Sequence, residues 1–326
     1  MTTLLASPPP QPTIGVGTWA WGNTVVWGYD PSQDAELEAT FQRCLARGLC
    51  FFDTADSYGT GRLNGRSESL LGRFAAAVQP QSPFTIATKL APFPWRLGRG
   101  GFRGAFAASR RRLGGHLDRV QLHWSTSRYA PWQEAALLDG LADLVLAGEV
   151  AEVGLSNMGP RRLRWAHDRL AARGVVLRSL QVQCSLLAPQ PLEPGGVAEV
   201  CRDLGIELIA YSPLALGLLS RPPGALVAPP KGLRGVLFRR LWPAAQPLLT
   251  HMAELGRERP GGLAAVALNW CRAHGAMPIP GLRSLDQVEA AAASCSWQLD
   301  INERQRLDRL SQSCKARMPA NPFQSA

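Results

Sequence analysis

Short apolar runs alternate with longer amphipathic stretches along the whole chain. The strand-like runs are Ile14–Thr18, Cys50–Thr54, Phe84–Thr88, Arg119–His123, Ala151–Leu155, Ser179–Gln183, Ile206–Ala210 and Ala276–Ile279. Helical spacing of apolar positions fills the intervals at Asp34–Arg47, Ser67–Ala77, Gly104–Gly114, Trp132–Ala147, Pro160–Ala172, Pro194–Leu204, Gln246–Ala273 and Ser284–Ala293. Start signals agree with this reading: Ser67 is placed as an N-cap with Glu68 in the first turn, and Pro160 stands at a first helical position. Gly48, Gly174 and Gly205 follow helices just before strands, where a left-handed C-cap is expected.

Strands that are nearly continuous in apolar residues, each followed by a helix, predict a parallel sheet covered on both faces. Eight such units predict an α/β fold, a (β/α)8 TIM barrel in a single domain over residues 1–326, with 1–13 as a flexible N-terminal extension. An open doubly wound sheet would call for G-x-G-x-x-G in its first β–α turn, and Gly15-Val16-Gly17-Thr18-Trp19-Ala20 does not supply it. The segment from Arg221 to Pro247 is rich in Pro, Gly and Arg, and predicts a long functional loop after the seventh strand.

Composition narrows the class. Hydrophobic residues make up 46% of the chain and charged residues 18%, which favours a sizeable core over disorder. No window reaches the roughly 18 uninterrupted apolar residues of a membrane span. Met1–Thr13 has neither the basic and apolar regions of a signal peptide nor the character of a transit peptide, so a cytoplasmic location is expected. The seven cysteines include no C-x-x-C pair, which predicts free thiols and no metal site. The net charge of +10 comes mainly from arginine, because only Lys89, Lys231 and Lys315 are lysines. These arginines lack the aromatic interleaving of a nucleic-acid surface, so no nucleic-acid partner is expected, although a basic field favours an anionic cofactor. A monomer is the default expectation.

In a barrel of this kind the active site lies at the C-terminal ends of the strands. Four such residues are chemically coherent: Asp53, Tyr58, Lys89 and His123. A free tyrosine has a pKa of about 10 and is a slow acid at neutral pH. A nearby ammonium from Lys89 is expected to lower that value, Asp53 to hold the lysine by an ion pair, and His123 to orient a carbonyl. No side chain donates hydride, so a nicotinamide cofactor is implied.

The chain resembles the aldo-keto reductases. The match runs through Phe52-Asp53-Thr54-Ala55-Asp56-Ser57-Tyr58-Gly59, Ser67-Glu68-Ser69-Leu70-Leu71-Gly72, Ala87-Thr88-Lys89, Leu122-His123-Trp124, Gly154-Leu155-Ser156-Asn157, Gln181-Val182-Gln183, Tyr211-Ser212-Pro213-Leu214 and Ile279-Pro280-Gly281. Gly15–Gly22 and Gly235–Arg239 look most like the cyanobacterial and plastid branch. The resemblance implies NADPH-dependent reduction of an aldehyde or ketone, with Asp53, Tyr58, Lys89 and His123 as a catalytic tetrad. It implies that Ser156, Asn157 and Gln183 bind the nicotinamide carboxamide and that Tyr211 stacks on the ring. Ser212 and Leu214 would meet the pyrophosphate.

At the adenosine end Arg283, Ser284 and Gln287 are suitably placed, and Arg283 with Ser284 favours a 2′-phosphate. Ala290 and Ala291 stand where relatives have Glu-Asn for the adenine, and Arg221, Lys231 and Arg234 are candidates for a charge over the pyrophosphate. Trp19, Trp21 and Trp124 are the leading substrate-pocket residues, with Trp27, Tyr29 and Trp95 as further aromatic candidates. Pyridoxal is a candidate substrate from the plastid-like resemblance. The alternative is an NADP(H)-binding regulatory or redox-sensor subunit on the same fold.

Overall fold

The computed structural model describes residues 13–78 and 83–325. All but residue 13 of the expected N-terminal extension lies outside them. The chain runs through β1 (Val16–Gly17), α1 (Thr24–Trp27), α2 (Asp34–Ala46), β2 (Phe51–Asp53), α3 (Arg66–Ala76), β3 (Thr85–Leu90), α4 (Arg103–Arg112), β4 (Arg119–Leu122) and α5 (Pro131–Leu146). It continues through β5 (Glu152–Ser156), α6 (Pro160–Ala171), β6 (Leu177–Gln183), α7 (Val197–Leu204), β7 (Glu207–Tyr211), α8 (Gly232–Gly256), α9 (Gly262–Ala273), β8 (Ala276–Ile279), α10 (Leu285–Ser294) and α11 (Ile301–Ser313).

The eight strands pair in sequence order, and every pair is parallel. The last closes on the first: the Gly15 amide donates to Pro278 O at 3.0 Å and the Gly17 amide to Pro280 O at 2.9 Å. The predicted (β/α)8 barrel is therefore the observed fold. Every residue of β4 and β8 is buried, as strands covered on both faces require.

Two features differ from the sequence reading, the first being the stretch from Arg221 to Ala273. The expected helix over Gln246–Ala273 is two helices, α8 and α9, parted near Pro260 and Gly261, whose φ is +82°. The expected long loop over Arg221–Pro247 is coil only as far as Lys231. Beyond it, Phe238, Leu241, Trp242, Ala245, Leu248, Leu249 and Met252 form a buried stripe at helical spacing. Pro243 and Pro247 are exposed, so the carbonyls they leave without an amide donor face the solvent side. The stripe's burial outweighs the prolines. The second feature is α11, which the sequence reading omitted. Asp300 and Glu303 close a capping box at its start, and a tail then returns to the catalytic end of the barrel, where the Ser325 amide donates to Asn157 O at 3.2 Å.

The β1–β8 seam is tight. A Cβ on Gly17 would stand 2.9 Å from the Ile279 carbonyl oxygen, which is fixed backbone. Gly17→Ala is expected to destabilise the protein by about 1–3 kcal/mol through this forced separation. Urea unfolding measures it, and an unchanged midpoint would show that the seam yields freely.

Candidate active site

Three neighbouring strands deliver the polar centre. Asp53 is the last residue of β2, Lys89 lies near the end of β3, and His123 follows β4 directly. Lys89 and Asp53 are each 1% exposed. Lys89 Nζ donates to Asp53 Oδ2 at 2.5 Å and to the Thr54 carbonyl at 2.8 Å. The other carboxylate oxygen, Asp53 Oδ1, accepts from Gln181 Nε2 at 2.7 Å and from Gln121 Nε2 at 3.2 Å. A buried ion pair survives only when its remaining hydrogen-bonding positions are met in this way.

Tyr58 is set by the turn beyond β2. Its carbonyl accepts from the Gly65 amide at 2.9 Å, and Gly59 has φ +120° with a hypothetical Cβ 1.8 Å from Leu63 O, so only glycine fits there. Lys89 Nζ sits 4.9 Å from the Tyr58 ring centre, and the rings of Tyr58 and His123 lie 5.8 Å apart. Ser57 Oγ and His123 Nδ1 are 3.4 Å apart.

Burial governs the protonation of this centre. It holds Lys89 below its ordinary value while Asp53 draws it back up. Burial also keeps the His123 imidazole well below the usual histidine range, with the Lys89 charge adding to the effect. Tyr58 is pushed well above its ordinary value by burial first, and then by Asp53 and Tyr211. The expectation that Lys89 makes Tyr58 more acidic is therefore corrected. The ammonium is bound to Asp53, whose carboxylate opposes ionisation of the phenol.

These four residues open into a cavity of about 760 Å³. Of the other expected residues, Ser156, Asn157, Tyr211, Ser212, Leu214, Arg221, Arg283, Gln287, Trp19 and Trp124 line it, together with Trp27 and Arg234. Three leading candidates do not. Gln183 lies outside the lining and Gln181, two residues earlier on the same face of β6, takes its place. Trp21 is fully buried: its indole N–H donates to Leu282 O at 2.9 Å and its ring meets Phe74 edge-on, so it belongs to the core. Ser284 stands at the N-cap of α10, beyond the lining. Tyr29 is buried with its hydroxyl on Asp34 at 2.6 Å, Trp95 is 73% exposed, and Lys231 is exposed outside the cavity.

Asn321 and Phe323, which sequence reasoning missed, also line the cavity. Phe323 stacks on Trp124 with centroids 4.7 Å apart. Neither lies in a patterned segment, so only their fold contacts reveal them.

The far end of the cavity is cationic. Arg234 lies 4.0 Å over the Trp27 ring and Arg283 lies 5.3 Å from the same ring centre. Arg221, Arg234 and Arg283 each donate to a backbone carbonyl, and among the described residues none of the three forms an ion pair with a carboxylate. Burial, with Arg283 and Arg221 adding repulsion, brings Arg234 down to about 10. Arg234 Nε and Trp27 Nε1 are buried without a hydrogen-bond partner. Gathered like charges and unmet donors fit a polyanionic ligand.

Among the described residues there is no group of three His, Cys, Asp or Glu side chains that could hold a metal, and no helix is long and apolar enough to cross a membrane. All seven cysteines are free.

The sequence profile of the Aldo/keto reductase family matches residues 13–312. A protein named chloroplastic pyridoxal reductase, from Arabidopsis thaliana, is 44% identical over 96% of this chain and 86% of its own length. An uncharacterized oxidoreductase of Mycobacterium tuberculosis is 32% identical over 94% of this chain and 91% of its own. Among solved structures, an aldo-keto reductase from Klebsiella pneumoniae in complex with NADPH superposes with a TM-score of 0.73 at 24% identity, covering 95% of each chain. A glycerol dehydrogenase from Gluconobacter oxydans gives 0.77 at 23% identity, covering 96% of this chain and 95% of its own. At such identity these structures bear on the fold.

Lys89→Met leaves Asp53 buried without its countercharge and is expected to cost about 3–5 kcal/mol in denaturant unfolding. Adding Asp53→Asn should recover part of that loss, whereas strictly additive losses would mean the pair is not coupled. A second test uses pH. Because folded His123 lies well below the unfolded value of 6.5, the unfolded chain takes up its proton first as pH falls. This group leaves stability untouched above that pH and reduces it below, by up to about 1.4 kcal/mol per pH unit. His123→Asn should therefore lose less stability than wild type between pH 7.5 and 5.5, roughly the window before carboxylates titrate. Equal losses would refute the assignment.

Proposed function

Because the chain belongs to the aldo/keto reductase family, we propose that it reduces an aldehyde or ketone with NADPH, and that pyridoxal is its substrate. One observation carries this reading. The cavity has Asp53, Tyr58, Lys89 and His123 at one end and, at the other, three arginines that form no ion pair among the described residues.

The residues present fit a dinucleotide phosphate. Arg221 and Arg234 would hold the pyrophosphate, with Ser212 and Leu214 offering backbone groups, and Arg283 would suit the 2′-phosphate that distinguishes NADPH from NADH. Gln181, Ser156, Asn157 and Tyr211 lie beside the tetrad and would hold the nicotinamide. When bound, NADPH supplies the hydride.

The chain's own part is the proton. Tyr58 stays protonated through neutral and mildly alkaline pH, so its hydroxyl is a standing donor to the carbonyl oxygen as negative charge gathers there. Lys89, pinned by Asp53, then faces the phenolate left behind at 4.9 Å from the ring. His123 is neutral, so it orients the carbonyl by a hydrogen bond without competing to deliver a proton. Trp19 and Trp124 give this end an aromatic wall that suits a planar heteroaromatic aldehyde. The same reading has the protein work as a cytoplasmic monomer, without a nucleic-acid partner.

NADPH consumption with pyridoxal and a panel of other carbonyls tests the reading. Tyr58→Phe should lower kcat/KM by about 10²–10⁴-fold while NADPH still binds. If the wild-type protein binds NADPH and turns over no carbonyl in the panel, the regulatory or sensor reading takes its place.

A further inference from the structure

The side chain of Asn157 is saturated. Its Nδ2 donates to the His123 carbonyl at 3.0 Å and to Ser156 Oγ at 3.0 Å. Its Oδ1 accepts from the Tyr211 hydroxyl at 3.0 Å and from Asn321 Nδ2 at 3.0 Å. A side-chain amide has two N–H donors and two acceptor lone pairs, so no position remains for a further carboxamide. A group that binds there must displace one of the four.

Three of those partners are fixed to the barrel: Ser156 ends β5, Tyr211 ends β7 and His123 follows β4. The fourth, Asn321, belongs to the tail beyond α11, which has no regular structure where it crosses the site. Asn321 Nδ2 also donates to the Tyr211 hydroxyl at 2.8 Å, so one tail amide engages both groups that face the nicotinamide position. Few contacts hold the tail there, and they include the Ser325 amide, which donates to the Asn157 backbone carbonyl at 3.2 Å. Phe323, 44% exposed, stacks on Trp124, and its amide donates to Asn321 Oδ1 at 2.9 Å. Ser325 Oγ accepts from the Gly159 amide at 3.0 Å. The Arg128 guanidinium reaches Pro322 O at 3.4 Å. The tail is thus the one partner of Asn157 that can leave without opening the barrel.

We propose that the C-terminal tail is a latch, in which Asn321 occupies on Asn157 and Tyr211 the place of the cofactor's carboxamide and Phe323 holds it down on Trp124. Tail closure and cofactor loading then compete, and the coupling is reciprocal: whatever loosens the tail tightens cofactor binding, and the bound cofactor loosens the tail. The inference rests on the cofactor reading above and adds that this chain restrains its own loading.

The test is direct binding, read without turnover. NADPH is titrated into the wild-type protein, Asn321→Ala and Phe323→Ala, following the quenching of tryptophan fluorescence, since Trp19, Trp27 and Trp124 line the cavity. Losing the two Asn321 hydrogen bonds should tighten apparent NADPH binding about tenfold. Phe323→Ala, which leaves the amide in place but removes the stack, should shift affinity the same way. Hydrogen exchange at the amides of Phe323 and Ser325 should speed up when the wild-type protein is saturated with NADPH. NADPH binding in both variants equal to or weaker than wild type overturns the latch, as does unchanged or slower exchange. No NADPH binding by the wild-type protein overturns the cofactor reading instead, so the two failures are distinguishable.

Discussion

The ion pair between Asp53 and Lys89 is the constraint around which this structure is organised. Two charges almost wholly removed from water at the barrel's catalytic end are costly unless every remaining lone pair and proton is met. The barrel meets them from three directions. Gln121 on β4 and Gln181 on β6 reach inward to Asp53, and the Thr54 carbonyl takes a second Lys89 proton. In register, Lys89 stands beside Gln121, and Gln121 beside Gly154. A Cβ on Gly154 would lie 2.9 Å from Gln121 Cγ and 2.6 Å from Ser179 Oγ, so the absence of a side chain there makes room for the glutamine to reach the carboxylate. The pair thus dictates residues on three strands, among them Gln181, which also lines the cavity.

Its second effect is on Tyr58. An ammonium beside a phenol would ordinarily favour the phenolate, and that was the expectation from residue types alone. With Lys89 turned onto Asp53, the tyrosine meets a nearly neutral pair and responds to burial instead. The result is a phenol that keeps its proton, as the proposed donor role requires. That is a sound arrangement for an acid, because a phenol already ionised has nothing to give.

How much of this could be read from the sequence depends on whether a feature is local or assembled. The barrel was legible because strands covered on both faces are mostly apolar, and the tetrad because its members recur at successive strand ends. Gln181 was missed in favour of Gln183 because period-two alternation puts both on one face, and depth along the strand is set by packing. Trp21 was misplaced because aromatic character does not separate a pocket wall from a core residue, and contact with Phe74 decides it. The prolines at 243 and 247 argued for a loop, yet the buried stripe from Phe238 to Met252 prevailed. Asn321 lies 164 positions from Asn157, a pairing that no local pattern encodes.

The two ends of the cavity use opposite electrostatics, and the basic excess of the chain makes sense only at one of them. Arginines on the outer helices pair with carboxylates, as Arg169 does with Asp139 and Arg164 with Asp203. Arg221, Arg234 and Arg283 instead gather without an ion pair among the described residues, a repulsive arrangement that an anion relieves. At the tetrad end charge is suppressed, and backbone strain marks the join between the two. Asn157, Ser212 and Leu216, all lining the cavity, hold left-handed backbone at φ +57°, +52° and +58° without being glycine. Such conformations cost of order 1–3 kcal/mol each and persist where the surroundings over-determine them. At Asn157 the determinants are visible: four hydrogen bonds to its side chain, one of them from the tail. Strained backbone and a saturated amide at the same residue mean that a ligand arriving there is met by a group already oriented, and has only the Asn321 contact to break.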